Sequence, residues 1–239
     1  MRPCAVYPFA VFALSASFAL LMIALLHEPY LPLIRRALLA VTPRGIARAL
    51  DVGCGDGAKT HWLRECCTPD GLIIGLERDI NVLGSAQGIS QIVGDAINLP
   101  FADQTIDVIW CIAALALFSQ PQQALAEMRR VLHPRGTLIL LTAGEYWVRL
   151  RKHPLTVVQT LPPDIPLPPA DGLGEEWTRL LRTAGFAQPQ VRAYLLNGVA
   201  PAQAALLDSA DLAAYINHTP FVSPIAEPEV HPVLFIVKA

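Results

Sequence analysis

The chain is short of charge. Only 16% of its 239 residues are Asp, Glu, Lys or Arg, and 18 basic residues stand against 20 acidic ones, for a formal net charge of −2. No basic excess exists to meet a phosphate backbone, which excludes a nucleic-acid partner bound mainly by charge. With 53% hydrophobic residues the chain is also far from the composition of a disordered one. Cysteine is sparse: five residues, none in C-x-x-C spacing, with Cys66 and Cys67 adjacent and poorly placed to bond to each other. Neither a metal site nor a disulfide framework is read from them, and the thiols point to a reducing compartment.

Charge is missing altogether from Pro3 to Leu26, and Ala5–Leu26 is apolar except for Ser15 and Ser17. As a helix this run would reach about 33 Å, enough to cross a hydrocarbon core. It is longer than a typical signal core, and only Arg2 precedes it. A single membrane anchor fits it better than a cleaved signal peptide or an interfacial or buried helix. Arg35, Arg36, Arg44 and Arg48 follow the run, and that bias would leave the rest of the chain facing the cytoplasm. The expected division is therefore residues 1–30 as a hydrophobic segment and 31–239 as the working domain. Much of the mean hydropathy of +0.42 sits in the first part.

From Arg48 onward short apolar runs alternate with segments of helical period. Strands are expected at Ala49–Val52, Leu72–Leu76, Gln91–Val93, Asp107–Ala113 and Thr137–Thr142, with helices over Ala58–Cys67, Ile80–Gly88 and Pro121–Leu132. Apolar strands separated by helices imply a doubly wound α/β fold, mostly parallel and covered on both faces. Six prolines between Pro154 and Pro169 exclude regular structure there. A helix is expected at Gly174–Ala184, closing strands at Val191–Leu196 and Val233–Val237, and a helix near Ala202–Ile216. Insertions are read near 145–172 and 198–232.

In such sheets ligands bind at the carboxyl ends of the strands. Gly53-Cys54-Gly55-Asp56-Gly57 follows the first strand, Glu77 closes the second and Asp95 follows the third. A glycine turn lets backbone approach a ligand and turns its amides toward it. Gly53, Gly55 and Ala58 also satisfy the spacing of a dinucleotide loop, and Glu77 can accept a ribose diol from either kind of cofactor. Asp51 favours a cofactor carrying an ammonium, because a pyrophosphate would repel a carboxylate two residues before Gly53. Asp95 offers an acceptor for an adenine amino group.

Leu50-Asp51-Val52-Gly53-Cys54-Gly55-Asp56-Gly57 resembles the first motif of class I S-adenosylmethionine-dependent methyltransferases. Gly94-Asp95-Ala96 with Leu99-Pro100-Phe101, Asp107-Val108-Ile109, and Arg130-Val131-Leu132-His133-Pro134-Arg135-Gly136 resemble later motifs in the same order. The flavour is that of the small-molecule branch acting on quinones and sterols. The resemblance implies that Asp51 and the backbone of Gly53, Cys54, Gly55 and Gly57 hold the methionine part of S-adenosylmethionine. It also implies that Glu77 binds the ribose, Asp95 and Ala96 the adenine, and the Cys111 carbonyl the cofactor amine. Where the family often carries polar residues after the fourth strand, this chain reads Ile112-Ala113-Ala114-Leu115-Ala116-Leu117-Phe118, and Arg135 replaces a usual glycine.

Methyl transfer needs a base only if the acceptor must lose a proton. His133, His153, Glu145 and Tyr146 are the side chains considered for that role, and none is assigned. The expected acceptor is a small, lipophilic molecule met at a membrane. The competing expectations are a nicotinamide-dependent oxidoreductase and a non-catalytic membrane adaptor that keeps the cofactor fold.

Overall fold

The computed structural model describes residues 31–84, 87–150, 175–195, 216–219 and 230–239. The elements in chain order are α1 (Leu31–Val41), β1 (Ile46–Val52), a 3-10 turn (Thr60–Glu65), β2 (Cys67–Glu77), β3 (Ser90–Val93) and β4 (Ile106–Ile112). A short 3-10 turn (Leu115–Leu117), α2 (Pro121–Val131), β5 (Leu132–Leu150), α3 (Glu175–Thr183), β6 (Gln190–Leu195), β7 (Ile216–Thr219) and β8 (Val230–Lys238) complete them.

One sheet runs in the order β3-β2-β1-β4-β5-β8-β6, with β7 paired to β5. The pairs from β3 through β5 are parallel. β8 lies antiparallel between β5 and β6, and β7 also joins antiparallel. The expectation of a doubly wound, mostly parallel sheet therefore holds for its first five strands, and the closing strands reverse.

The alternation of side chains sorts the sheet into two buried layers. Leu50, Val52, Ile109, Cys111, Leu138 and Leu140 face a core closed by Leu125 and Met128 of α2 and Leu181 of α3. Ala49, Val108, Trp110, Ile112, Ile139 and Leu141 face the other core, closed by Ile34 and Leu38 of α1 and by Leu63. Both faces being covered, the strands read as unbroken apolar runs. α1 buries Ile34, Ala37, Leu38 and Val41 at helical spacing, and Pro32 sits in its first turn, where a missing N–H costs little. Its end is pinned by a relay: the Trp110 indole N–H donates to Thr42 Oγ1 at 3.2 Å, and Thr42 Oγ1 donates to the Leu38 carbonyl at 2.7 Å.

Several expectations are corrected. The helix expected over Ala58–Cys67 contracts to the 3-10 turn, because Cys67 already pairs with Ile46 as the start of β2. No helix forms over the described part of Ile80–Gly88: Asp79 Oδ1 takes both the backbone and side-chain N–H of Asn81, and Gly88 turns left-handed at φ 73°. Ile80 and Val82 are left exposed. β5 is longer than expected, absorbing Pro134-Arg135-Gly136 as a bulge between the pairs Ile106–Leu132 and Val108–Thr137. β7 falls where a helix was expected to end. The hydrophobic segment 1–30, the proline-rich run 154–169 and residues 202–215 lie outside the described residues. No described helix is long and apolar enough to cross a membrane.

Candidate active site

Asp51 occupies the sheet face shared with Ala49, the face covered by α1 and the 3-10 turn, and so becomes buried. Thr60, first residue of that turn and itself buried, donates its hydroxyl to Asp51 Oδ2 at 2.5 Å. Asp51 Oδ1 has no hydrogen-bond partner among the described residues. Burial pushes the carboxyl up to about 6, against the opposing pull of the Thr60 bond and the Lys59 charge. A buried carboxylate with one bare oxygen is costly unless a cation or donor meets it.

The glycine loop packs closely against its neighbours. Gly53 has φ 76°, and a Cβ there would lie 2.4 Å from Ala114 Cβ and 3.5 Å from the Phe118 ring. The segment after β4 thus folds over the loop, helped by Ala113 in the left-handed region at φ 59°. Below the loop, the Cys54 thiol occupies the space left by Gly75, where a Cβ would meet Sγ at 2.8 Å. Burial, with Asp51 and Glu77 nearby, pushes the Cys54 thiol up to about 12. Cys111 is also buried, and burial raises its thiol further. Both thiols are therefore held in the neutral form.

Most of the loop amides are not free, contrary to the expectation that they face a ligand. Gly53 and Cys54 donate to the Leu76 carbonyl at 2.8 and 3.1 Å, and Gly57 to the Cys54 carbonyl at 3.1 Å. Gly55 donates to Glu77 Oε2 at 3.1 Å, and Ala58 to Asp56 Oδ1 at 3.0 Å. A loop wired this way is a shaped wall rather than an anion cradle. Glu77 Oε1 also accepts from Arg78 N at 2.8 Å and Asp79 N at 3.2 Å, which fixes the carboxylate at the carboxyl end of β2. Asp95 is exposed just past β3, and its Oδ1 accepts from Ile97 N at 3.2 Å, while Ala96 is buried beside it. Asp51, Cys54, Gly55, Glu77 and Asp95 thus gather at one end of the parallel strands, lined by carboxylates and unsuited to a pyrophosphate.

The side chains considered as bases are not gathered there. His133 sits in the bulge that opens β5, at the opposite end of the strands, and its Nδ1 accepts from Arg135 N at 3.2 Å. Glu145 and Tyr146 are not past the end of β5 but within it, at the register break between Ala143 and Trp147. His153 lies outside the described residues. Thr60 was not singled out from the sequence, whereas Ala114 and Phe118 belong to the apolar run after the fourth strand that was. The one signal for Thr60 was its place at the start of the segment that follows the loop.

Residues 50–140 match a family model described as a methyltransferase domain. The chain is 36% identical over 95 residues to malonyl-[acyl-carrier protein] O-methyltransferase 1 of Coxiella burnetii, covering 40% of this chain and 33% of that protein. It is 34% identical over 106 residues to demethylmenaquinone methyltransferase of Staphylococcus epidermidis, covering 41% and 44%. The chain thus spans under half the length of these curated relatives. Among solved structures, a SAM-dependent methyltransferase of Thermotoga maritima shares the fold at a TM-score of 0.52 and 17% identity, over 93% of this chain and 94% of that one. An arsenic(III) S-adenosylmethionine methyltransferase of Chlamydomonas reinhardtii does so at 0.51 and 17%, over 83% and 65%. Over residues 50–140 the chain is thus similar to methyltransferase domains.

Proposed function

We propose that the chain transfers a methyl group from S-adenosylmethionine to a small, lipophilic acceptor. The observation that carries the reading is the bare oxygen of buried Asp51 beside a glycine loop whose four amides at Gly53, Cys54, Gly55 and Gly57 already bond within the protein. Such a site rewards a cation and offers little to a phosphate, which separates this cofactor from a nicotinamide dinucleotide. Asp51 would hold the ammonium, the backbone at Gly53–Gly57 the methionine chain, Glu77 the ribose, and Asp95 with Ala96 the adenine. The Cys111 carbonyl would supply a further acceptor for the ammonium.

When bound, the sulfonium offers an activated methyl that the acceptor's electron pair takes in line as the carbon–sulfur bond breaks. The residues of this chain contribute orientation and exclusion of water. Ala114 and Phe118 close over Gly53, and Asp51 is buried on the opposite sheet face beneath the 3-10 turn. The apolar cover suits an acceptor without charge. The demethylmenaquinone methyltransferase relatives favour a ring compound with an isoprenoid tail, and the apolar run Pro3–Leu26 favours membrane anchorage with the catalytic domain on the cytoplasmic side.

Incubating the full chain with methyl-labelled S-adenosylmethionine and membrane extract tests this reading. Label in the lipid-soluble small-molecule fraction is expected. Cofactor binding with no labelled product in any fraction would favour the adaptor reading instead, and label confined to polar products would remove the lipophilic acceptor.

A further inference from the structure

The segment from Asp95 to Thr105 joins β3 to β4 outside any helix or strand, yet it carries the two residues proposed for the adenine. It is held from one side by α2. The Arg130 guanidinium meets Glu127 as a fork, Nε to Oε1 at 2.7 Å and one terminal nitrogen to Oε2 at 2.8 Å. The same terminal nitrogen donates to the Leu99 carbonyl at 3.0 Å, and the other donates to the Phe101 carbonyl at 2.9 Å and to Asp103 at 2.6 Å. Glu127 Oε2 accepts in turn from Leu99 N at 2.9 Å. Two charged side chains thus grip the backbone at Leu99 on both its N–H and its C=O. The Arg130 hydrogen bonds hold the Glu127 carboxyl below the usual carboxylate range, so the fork stays charged.

The grip reaches Asp95 in two short steps. Leu99 and Ala96 are anchored in the core, and Asn98 N donates to the Asp95 carbonyl at 3.0 Å while Ile97 N donates to its carboxylate. Gln123, one turn earlier on α2, donates to the Ile97 carbonyl at 3.4 Å. The outer contact to Asp103, itself 70% exposed, adds little on its own. The bidentate fork and the carbonyl bonds are the geometrically specific part.

We propose that Arg130 and Glu127 are positioning residues for recognition of the cofactor's nucleobase. They set the path of the Asp95–Phe101 segment and thereby hold the Asp95 carboxylate where it accepts from an exocyclic amino group. This inference rests on the proposed function and extends it to two side chains that touch no ligand. A purely structural role would lower stability and weaken every ligand alike. A positioning role also erases the distinction between a base that carries the amino group and one that does not.

Calorimetry on the full chain separates these, using S-adenosylhomocysteine and its hypoxanthine counterpart, with thermal melts run beside it. The unaltered protein is expected to prefer the adenine ligand. Arg130→Ala is expected to bind it about tenfold more weakly and to lose the preference for adenine over hypoxanthine. Glu127→Gln, which keeps an acceptor for Leu99 N, guards against loss of folding and should show the same change to a smaller degree. Arg130→Lys should recover part of the preference. Folded variants whose adenine preference equals that of the unaltered protein would overturn the inference and leave the proposed function standing. An unaltered protein that binds neither ligand would overturn both.

Discussion

Thr60 donates to one oxygen of the Asp51 carboxylate at 2.5 Å, and the other oxygen, also buried, meets no hydrogen-bond partner among the described residues. Hydroxyl and carboxylate come together because Asp51 points to the sheet face on which the 3-10 turn lies. The arrangement has a cost in the absence of a cation, and that cost is measurable.

Burial raises the folded-state Asp51 carboxyl from 3.8 to about 6, so between those values the folded chain binds more protons than the unfolded one. Stability therefore falls as pH rises through this window, and above it the charged carboxylate destabilises by on the order of 3 kcal/mol. Asp51→Asn removes the charge. Its melting temperature relative to the unaltered protein should climb from about pH 4 to about pH 6 and level off beyond, while S-adenosylhomocysteine binding weakens. A melting difference that is flat across that range contradicts the buried charge.

Gly53→Ala introduces a Cβ at φ 76° and 2.4 Å from Ala114 Cβ. It should cost about 1–3 kcal/mol in denaturant unfolding and reduce cofactor affinity. Ala114→Gly removes the opposing methyl, so the double variant should recover the steric part of the loss and not the conformational part. Equal stability of the single and double variants would mean that the two residues do not meet.

Glu77→Ala removes the acceptor of Gly55, Arg78 and Asp79 amides together with the proposed ribose ligand. Affinity for S-adenosylhomocysteine is expected to fall by about a hundredfold, since hydrogen bonds to charged groups are the strong ones. Glu77→Gln should lie between. Titration calorimetry checks both, and an unchanged affinity removes Glu77 from the site.

The gathering of these residues at one end of the sheet was legible in the sequence. Asp51, the glycines, Glu77 and Asp95 follow successive apolar runs, and parallel strands put their carboxyl ends on one edge. The reversal of β8 was not legible, because alternating burial is the same for parallel and antiparallel neighbours. Nor was the length of β5: Pro134 and Gly136 read as a turn, whereas the structure accommodates them in a bulge. The state of the loop amides depends on the Leu76 carbonyl and the Glu77 carboxylate, partners 22 or 23 positions away from the glycines they bind. Glu127 and Arg130 stand three apart on one helix, a spacing that announces a pair but not the backbone segment it holds.

The central claim is that the cofactor brings a cation to Asp51. Binding of S-adenosylhomocysteine near pH 6, followed by calorimetry in two buffers of different ionisation enthalpy, tests it most directly. An ammonium beside Asp51 lowers its carboxyl from about 6, so binding should release a proton, and the release should vanish in Asp51→Asn. Proton uptake, or binding with no proton change in either protein, would contradict the account.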